Sequence, residues 1–274
     1  MCADKIDGTA LRGVPATALW TLRNRAVEAL RPDSTYEDPE SVRLYETIDY
    51  PYDDFGGPSQ THPLRALTFD NAIRDFRAEH PDGVVVALGE GLQTSFWRLA
   101  DPTVRWVSVD LPEMIALRER LLPAEPRLTH VAASALDRSW FDAVEPGTPT
   151  FLSAEGLFMY FERADVLSLI ADCAARFPGG RLLFDSIPAW FSKKTLSGMK
   201  LAKHSDYQAP PMPFHLSVAE AARLAGEIPG VASATDVDLA PGRGLWGSPL
   251  LSFFSHAPVL KNYRPCLTLL RFAN

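Results

Sequence analysis

Gly89 and Gly91 close the β-branched run Val84-Val85-Val86-Ala87-Leu88, and Asp110 stands 21 residues after Gly89, at the end of a second apolar run, Val104 to Val109. Glycine lets the backbone turn sharply and approach a bound molecule closely. A carboxylate at the tip of the following strand accepts hydrogen bonds from ribose hydroxyls. The layout is that of a nucleotide-type βαβ unit. Asp110 has a second role open to it, because Asp-Leu-Pro is also a good start for a helix.

The register of the turn narrows the ligand. A dinucleotide needs a third small residue so that a helix N-terminus can meet its pyrophosphate. Here the order is Gly89-x-Gly91-x-x-Thr94, with Gln93, Phe96 and Trp97 crowding the start of the helix. That favours a ligand without a pyrophosphate, such as S-adenosylmethionine, an adenosine with a zwitterionic amino-acid tail.

The run Gly89-Glu90-Gly91-Leu92-Gln93-Thr94-Ser95-Phe96-Trp97-Arg98-Leu99 is similar to the Gly-x-Gly-x-Asp-Thr-x-Phe-Trp-Arg-Leu signature of leucine carboxyl methyltransferases. Closer still are their bacterial relatives, the tetracenomycin-type polyketide O-methyltransferases. The pattern continues in order through Val109–Glu113, Ala133–Asp137 with Trp140, Glu155–Tyr160, Phe177–Gly180 and Phe184-Asp185, so that the resemblance spans about residues 35–274.

The resemblance implies an α/β fold, the Rossmann-like seven-stranded sheet of class I methyltransferases, and S-adenosylmethionine as cofactor. It implies that Gly89 and Gly91 face the methionine portion, Asp110 the ribose, and Ser134 and Ala135 the adenine. Glu155 then meets the ammonium. Arg65, 24 residues before Gly89, meets the carboxylate from the opposite side. A guanidinium suits that task because it grips a carboxylate through two parallel hydrogen bonds. Three positions depart from the family. Ser134 stands where an Asp-Leu pair begins, Gln93 where Asp is usual, and Glu90 where a small residue or Cys is usual. Gln93 keeps hydrogen-bonding capacity without charge, and Glu90 is expected to bring a negative charge near the site.

Methyl transfer from a sulfonium is an in-line displacement that needs alignment and exclusion of water. A carboxylate acceptor, with a reference pKa near about 4, is ionised at neutral pH and needs no base. A phenol, near about 10, gains from one. His62, His204, His215 and His256 are the candidate bases, each with a plain structural reading as well. Lys193, Lys194 and Lys203 are either attractors of an acidic acceptor or a solvated face. The first reading is an O-methyltransferase of a carboxylate on a small secondary metabolite, polyketide or peptide-like. The second is phenol or enol O-methylation. The contrasting class, motivated by Glu90 and Gln93, is a non-catalytic binding protein on the same fold.

These residues need a scaffold. Strands are expected at 84–88, 104–109, 127–132, 149–154, 180–185, 231–239 and 266–272, separated by helices at 92–100, 111–122, 137–143, 162–177, 217–227 and 249–260. That alternation implies a parallel sheet covered on both faces. A helix at 16–31 and the aromatic, turn-rich segment Tyr36–Pro63 form an N-terminal helical cap over residues 1–63. The methyltransferase domain then runs over 64–274, opening with a helix at 64–79. Residues 187–216 are too long for a plain connection and are expected to form a lid. Phe96, Trp97 and Trp106 are expected in the core.

The 274 residues suffice for one large domain. A net charge of −7 disfavours nucleic-acid partners, which select for a basic face. The absence of a long apolar run, a signal-like N-terminus or a metal-ligand spacing points to a cytoplasmic protein without membrane span or metal. Its expected partner is a small-molecule carboxylic acid or phenol, and its expected state is monomer or homodimer.

Overall fold

The computed structural model describes residues 5–202, 205, 207–248, 257 and 260–274. The chain begins with β1 (Ile6–Asp7), α1 (Thr17–Ala29), α2 (Pro39–Thr47) and β2 (Ile48–Asp49), the two short strands pairing in parallel. Asp38 starts α2. Its carboxylate accepts from the Ser41 amide, and Pro39 occupies the first turn, where its missing N–H goes unused. Leu19, Leu22, Leu44 and Phe55 from this region share one apolar cluster with Leu92 and Met114 from the sheet domain. The N-terminal region is therefore packed onto the body rather than tethered to it.

The body follows as α3 (Thr61–Glu79), β3 (Val84–Leu88), α4 (Ser95–Leu99), β4 (Arg105–Asp110), α5 (Pro112–Leu121), β5 (Leu128–Ala132), β6 (Thr150–Ala154), α6 (Arg163–Arg176), β7 (Arg181–Ser186), α7 (Ala189–Leu196), α8 (Val218–Glu227), β8 (Val231–Val237) and β9 (Cys266–Phe272). The seven strands lie in the order β5-β4-β3-β6-β7-β9-β8. β3, β6 and β7 are buried along their whole length, and β3 accordingly reads as an unbroken apolar run, Val84 to Leu88. The order reverses between β3 and β6. Such a switch point opens a crevice beyond the carboxyl ends of the strands.

The structure corrects two expectations and leaves a third mostly outside the described residues. The sheet is not wholly parallel, since β9 runs antiparallel to both β7 and β8. β9 returns beside the strand that precedes it, and an apolar run reads the same in either direction. The helix expected at 92–100 shrinks to α4, because Gly91 at φ +54° and Thr94 at φ −124° lie outside helical geometry. The helix expected at 249–260 falls mostly outside the described residues, and Leu260–Tyr263 is a single 3₁₀ turn. Within the segment expected as a lid, α7 leads to a bridge between Lys200 and Gln208. Phe214 and Leu216 then return to the main core. The hydroxyl of Ser217 and the Glu220 side chain form a reciprocal cap that starts α8. Phe96 and Trp106 are buried as expected.

Candidate active site

The glycine turn leaves β3 at the switch point. Gly89 lies at φ +57°, and a Cβ there would stand 2.5 Å from Leu157 Cδ1. Only glycine fits both the conformation and the space. Asp110, at the tip of β4, ties this turn down: Oδ2 accepts from the Gly91 amide at 2.6 Å, while Oδ1 accepts from the Leu111 amide at 2.7 Å. Burial pushes the Asp110 carboxyl up, against the pull of those two amides and of Arg118. Asp110 faces the loop, but it does not cap α5: the N-cap is Leu111, which makes no side-chain cap bond, and Asp110 holds only the Leu111 amide just ahead of the helix.

β5 brings the next residues alongside. The Ala133 amide donates to the Asp110 carbonyl at 2.9 Å. Ser134 follows, its hydroxyl accepting from the Leu136 amide at 3.2 Å. The Ala135 carbonyl accepts from Trp140 Nε1 at 3.0 Å. Gly89, Gly91, Asp110, Ser134 and Ala135 thus gather at the carboxyl ends of three adjacent strands.

Arg65 and Glu155 depart from expectation. They do not face each other across a gap: Arg65 Nε donates directly to Glu155 Oε1 at 2.9 Å. Arg65 Nη1 also donates to Asp185 Oδ2 at 2.8 Å, and the Gly156 amide donates to Asp185 Oδ1 at 2.5 Å. The reason is geometric. Glu155 and Asp185 end neighbouring strands, β6 and β7, and α3 aims one guanidinium at both. Asp185 is the partner that the sequence reading missed as a site residue. Burial pushes the Glu155 carboxyl up, though Arg65 and Arg25 oppose it. Burial pulls Arg65 down, and Asp185 and Glu155 more than reverse that, so it stays charged. The cluster holds one cation and two carboxylates. Beside it, Gln93 Oε1 is buried without a hydrogen-bond partner and lines a small cavity with Gly89 and Glu155.

Glu90 lines the same cavity. It meets Arg118 of α5 at 2.9 Å, both side chains being at most 2% exposed. Arg118 Nη1 also donates to the carbonyls of Gly91 at 2.8 Å and Gln93 at 3.0 Å. The unusual acid is countered behind the loop by a residue that also clamps the loop. Burial raises the Glu90 carboxyl, against the pull of Arg118 and contacts with Ser108 and Trp106.

A second charged cluster lies just beyond. Thr94 Oγ1 donates to Asp38 at 2.7 Å. Arg98 Nη1 donates to Asp38 Oδ2 at 2.9 Å, and Arg98 also forks onto Asp70 at 2.8 and 3.1 Å. The Tyr36 hydroxyl donates to Asp38 Oδ2 at 2.8 Å. Arg25 lies 3.5 Å from Asp38 and donates to the Leu92 carbonyl at 2.6 Å. Thr94 and Arg98 of the signature run therefore fasten the N-terminal region to the glycine turn. Asp38-Pro39 was readable as a helix start, but its partners lie 56 and 60 positions along the chain.

His62 Nδ1 lies 2.6 Å from Asn24 Nδ2. Burial, with Arg65 and Arg25 nearby, holds its pKa well below the ordinary histidine value. It is neutral at pH 7 and already engaged. His215 precedes α8 and carries a buried Nδ1 without a partner. Lys193 and Lys194 are exposed on α7, Lys194 standing 5.0 Å over the Trp190 ring. Lys203, His204 and His256 lie outside the described residues. Among the described residues, no group of His, Cys, Asp or Glu is placed to hold a metal.

A seven-stranded sheet whose glycine turn lies at the switch point, with acids at the tips of the neighbouring strands, is the fold of class I methyltransferases. The residues fit S-adenosylmethionine: Gln93 Oε1 is a buried acceptor without a partner, in a cavity shared with Gly89 and the Glu155 carboxylate. A model of the leucine carboxyl methyltransferase family matches residues 18–174, and this chain belongs to that family. It is similar to the tetracenomycin polyketide synthesis O-methyltransferase TcmP of Streptomyces glaucescens, at 31% identity over 81% of each chain. It is also 31% identical, over 63% of each chain, to a protein of Parafrankia sp. (strain EAN1pec) named as an S-adenosyl-L-methionine-dependent methyltransferase. Among solved structures, the CurJ carbon methyltransferase shares the fold, with a TM-score of 0.55 at 12% identity over 94% of this chain and 67% of that one. No helix among the described residues is long and apolar enough to cross a membrane.

Proposed function

We propose that this methyltransferase esterifies a carboxylate on a small cytoplasmic secondary metabolite, polyketide or peptide-like. The name of the Streptomyces relative supports a polyketide pathway. The observation that carries the carboxylate is a pair of tyrosines beside the charged cluster. The Tyr207 hydroxyl is buried without a partner, and burial together with Tyr160 and Tyr50 raises its pKa. Burial also raises Tyr160, which lies against Thr17, Arg65 and Asp185. Both remain neutral donors at pH 7. Donors suit an oxygen that is already negative, whereas a phenol needs a group that accepts a proton.

Bound S-adenosylmethionine supplies an electrophilic methyl carbon and a sulfonium leaving group. Asp110 takes the ribose hydroxyls, and Ser134 and Ala135 take the adenine edge. Glu155 takes the ammonium and Arg65 the carboxylate, Arg65 keeping Asp185 as its second partner. Gly89 and Gly91 allow the backbone to lie against the methionine portion. The cap of residues 1–63 and the lid of about 187–216 exclude water over the 64–274 domain, which works as a monomer or homodimer.

The test is a single-turnover pH–rate profile on aromatic acids and matched phenols, with products identified by mass spectrometry and alkaline hydrolysis. Esters, formed at a rate flat from about pH 6 to 9, are expected. Alkali-stable ethers, or a rise near pH 6–7 that is lost in His215→Ala, would overturn the reading.

A further inference from the structure

Three consecutive carbonyls of the glycine turn are held by guanidinium groups from outside it. Arg118 Nη1 donates to the Gly91 carbonyl at 2.8 Å and to the Gln93 carbonyl at 3.0 Å. Arg25 Nη2 donates to the Leu92 carbonyl between them at 2.6 Å. Both arginine side chains are fully buried. A buried carbonyl left without a donor is costly, so the turn keeps its shape only while these partners are in place.

Arg118 reaches further into the site than Arg25. Gly91, which it holds by the carbonyl, is held by its amide to Asp110 Oδ2 at 2.6 Å. Gly91 lies at φ +54°, and a glycine has several other conformations open to it. Releasing its carbonyl therefore frees the amide that aims the Asp110 carboxylate. Glu90 completes the set. Its carboxylate lies 2.9 Å from Arg118 Nη2, yet neither of its oxygens makes a hydrogen bond. The contact is one of charge. Arg118 stands between two acids, because it also pulls the Asp110 carboxyl down. Without Glu90, a buried guanidinium would be drawn toward Asp110 and compete with the ribose for it.

We infer that Arg118 and Glu90 are positioning residues for the cofactor, on the reading above that Asp110 holds the ribose. Arg118 sets the Gly91 peptide so that Asp110 faces the sugar, and Glu90 keeps Arg118 on the turn. Arg118 acts through Gly91, and Glu90 acts through Arg118.

The decisive variant removes both charges. Replacing a buried ion pair by apolar side chains of similar size often leaves stability unchanged, whereas removing one partner does not. Glu90→Leu/Arg118→Met is therefore expected to unfold in denaturant at a midpoint close to that of the wild type. Its Kd for S-adenosylhomocysteine is nevertheless expected to rise at least about tenfold, because two carbonyls of the turn lose their donor. The Kd for 5′-methylthioadenosine, which keeps the ribose and lacks the amino-acid tail, is expected to rise by the same factor. Arg118→Lys keeps a charge for Glu90 but reaches one carbonyl, and is expected to lose about threefold for both ligands. Glu90→Gln is expected to cost about fivefold in the wild type and nothing more in Arg118→Met.

Wild-type affinity for both ligands in the folded double variant would overturn the inference and leave the pair purely structural. Should the double variant not fold, wild-type affinity in Arg118→Lys would do the same. A loss confined to S-adenosylhomocysteine would overturn it by moving the effect to the amino-acid tail. A Glu90→Gln cost that persists in Arg118→Met would overturn the part given to Glu90 and place that acid on the cofactor itself. Asp110→Ala keeps the underlying reading separate: unaltered affinity there removes Asp110 from the ribose, whatever the arginine variants do.

Discussion

Two clusters of buried charge sit on either side of the glycine turn, and they are built differently. In the seam that holds the N-terminal region, Arg25 and Arg98 face Asp38 and Asp70, two cations against two anions. Asp38 alone accepts from the Ser41 amide, the Thr94 and Tyr36 hydroxyls and Arg98. At the strand ends, Arg65 faces both Glu155 and Asp185, and Gln93 Oε1 has no partner. The seam is balanced in charge, although Arg25 Nε has no hydrogen-bond partner. The strand-end set carries one anion in excess, which would complement a sulfonium and an ammonium. Burial alone does not distinguish the two clusters. The balance of charge does.

The largest test of this difference is Arg98→Ala. Removing one partner from a buried, hydrogen-bonded set leaves Asp70 without its arginine and Asp38 with Arg25 alone, at a cost of about 3–5 kcal/mol. Denaturant unfolding is expected to show that loss. A variant as stable as the wild type would mean that the seam is not structural.

Asp110→Ala on the binding side is expected to weaken cofactor affinity by about 1.5–3 kcal/mol, through lost charge-assisted hydrogen bonds. The loss of stability is expected to be smaller, about 1 kcal/mol, from freeing the Leu111 amide just ahead of α5. Calorimetric titration with S-adenosylhomocysteine separates the two quantities. Unaltered affinity would remove Asp110 from the ribose.

Arg65→Lys comes next. An ammonium cannot fork to both Glu155 and Asp185, and a loss of roughly tenfold in cofactor affinity, about 1.4 kcal/mol, is expected from one missing charged hydrogen bond. Full affinity in the lysine variant would place the cofactor's carboxylate elsewhere.

The smallest effect is in pH, and there the clusters should respond in opposite directions. Burial pushes the Asp38 carboxyl up, but Arg98, Arg25, the Thr94 hydroxyl and the Ser41 amide outweigh it and leave it below its ordinary value. A carboxyl lowered by folding contributes stability above its unfolded pKa, near about 4, and loses it only in stronger acid. Burial leaves Glu155 and Asp110 above their ordinary values. Folding makes them bind protons more readily, so mild acid neutralises them without weakening the fold. Cofactor affinity is therefore expected to fall severalfold between about pH 6 and 4.5, while the protein stays folded. Simultaneous loss of binding and of near-ultraviolet dichroism would erase the distinction.

The sequence carried the chemistry of the turn farther than its mechanics. Gly89, Gly91 and Asp110 were legible because a sharp turn and a strand tip leave local marks. Strand β3 was legible because burial on both faces leaves an unbroken apolar run. The seam was not legible, since Thr94 and Arg98 look like ordinary helix residues until Asp38 and Asp70 are brought to them by the fold. Glu90 does line the cavity beside the turn, as expected, but its partner Arg118 comes from α5, so the pairing of that charge was not legible. The direction of β9 was hidden as well, because hydrophobicity has no polarity along the chain.

That reversed strand sets the order in which the molecule can assemble. β9 lies between β7 and β8 although both precede it, and it joins β7 through residues 80 to 90 positions apart, from Ser186–Cys266 to Arg181–Arg271. Chains are made from the N-terminus, so β8 emerges before β9, its one pairing strand among the described residues. Until β9 arrives, β7 shows a bare edge and β8 has no sheet to join. Long-range closure of this kind is slow, and unpaired edges recruit other chains. The binding half of the sheet, β3 to β7, needs none of β9's residues for its own pairing. Its glycine turn and acids can be in place while the far edge is still waiting for its last strand.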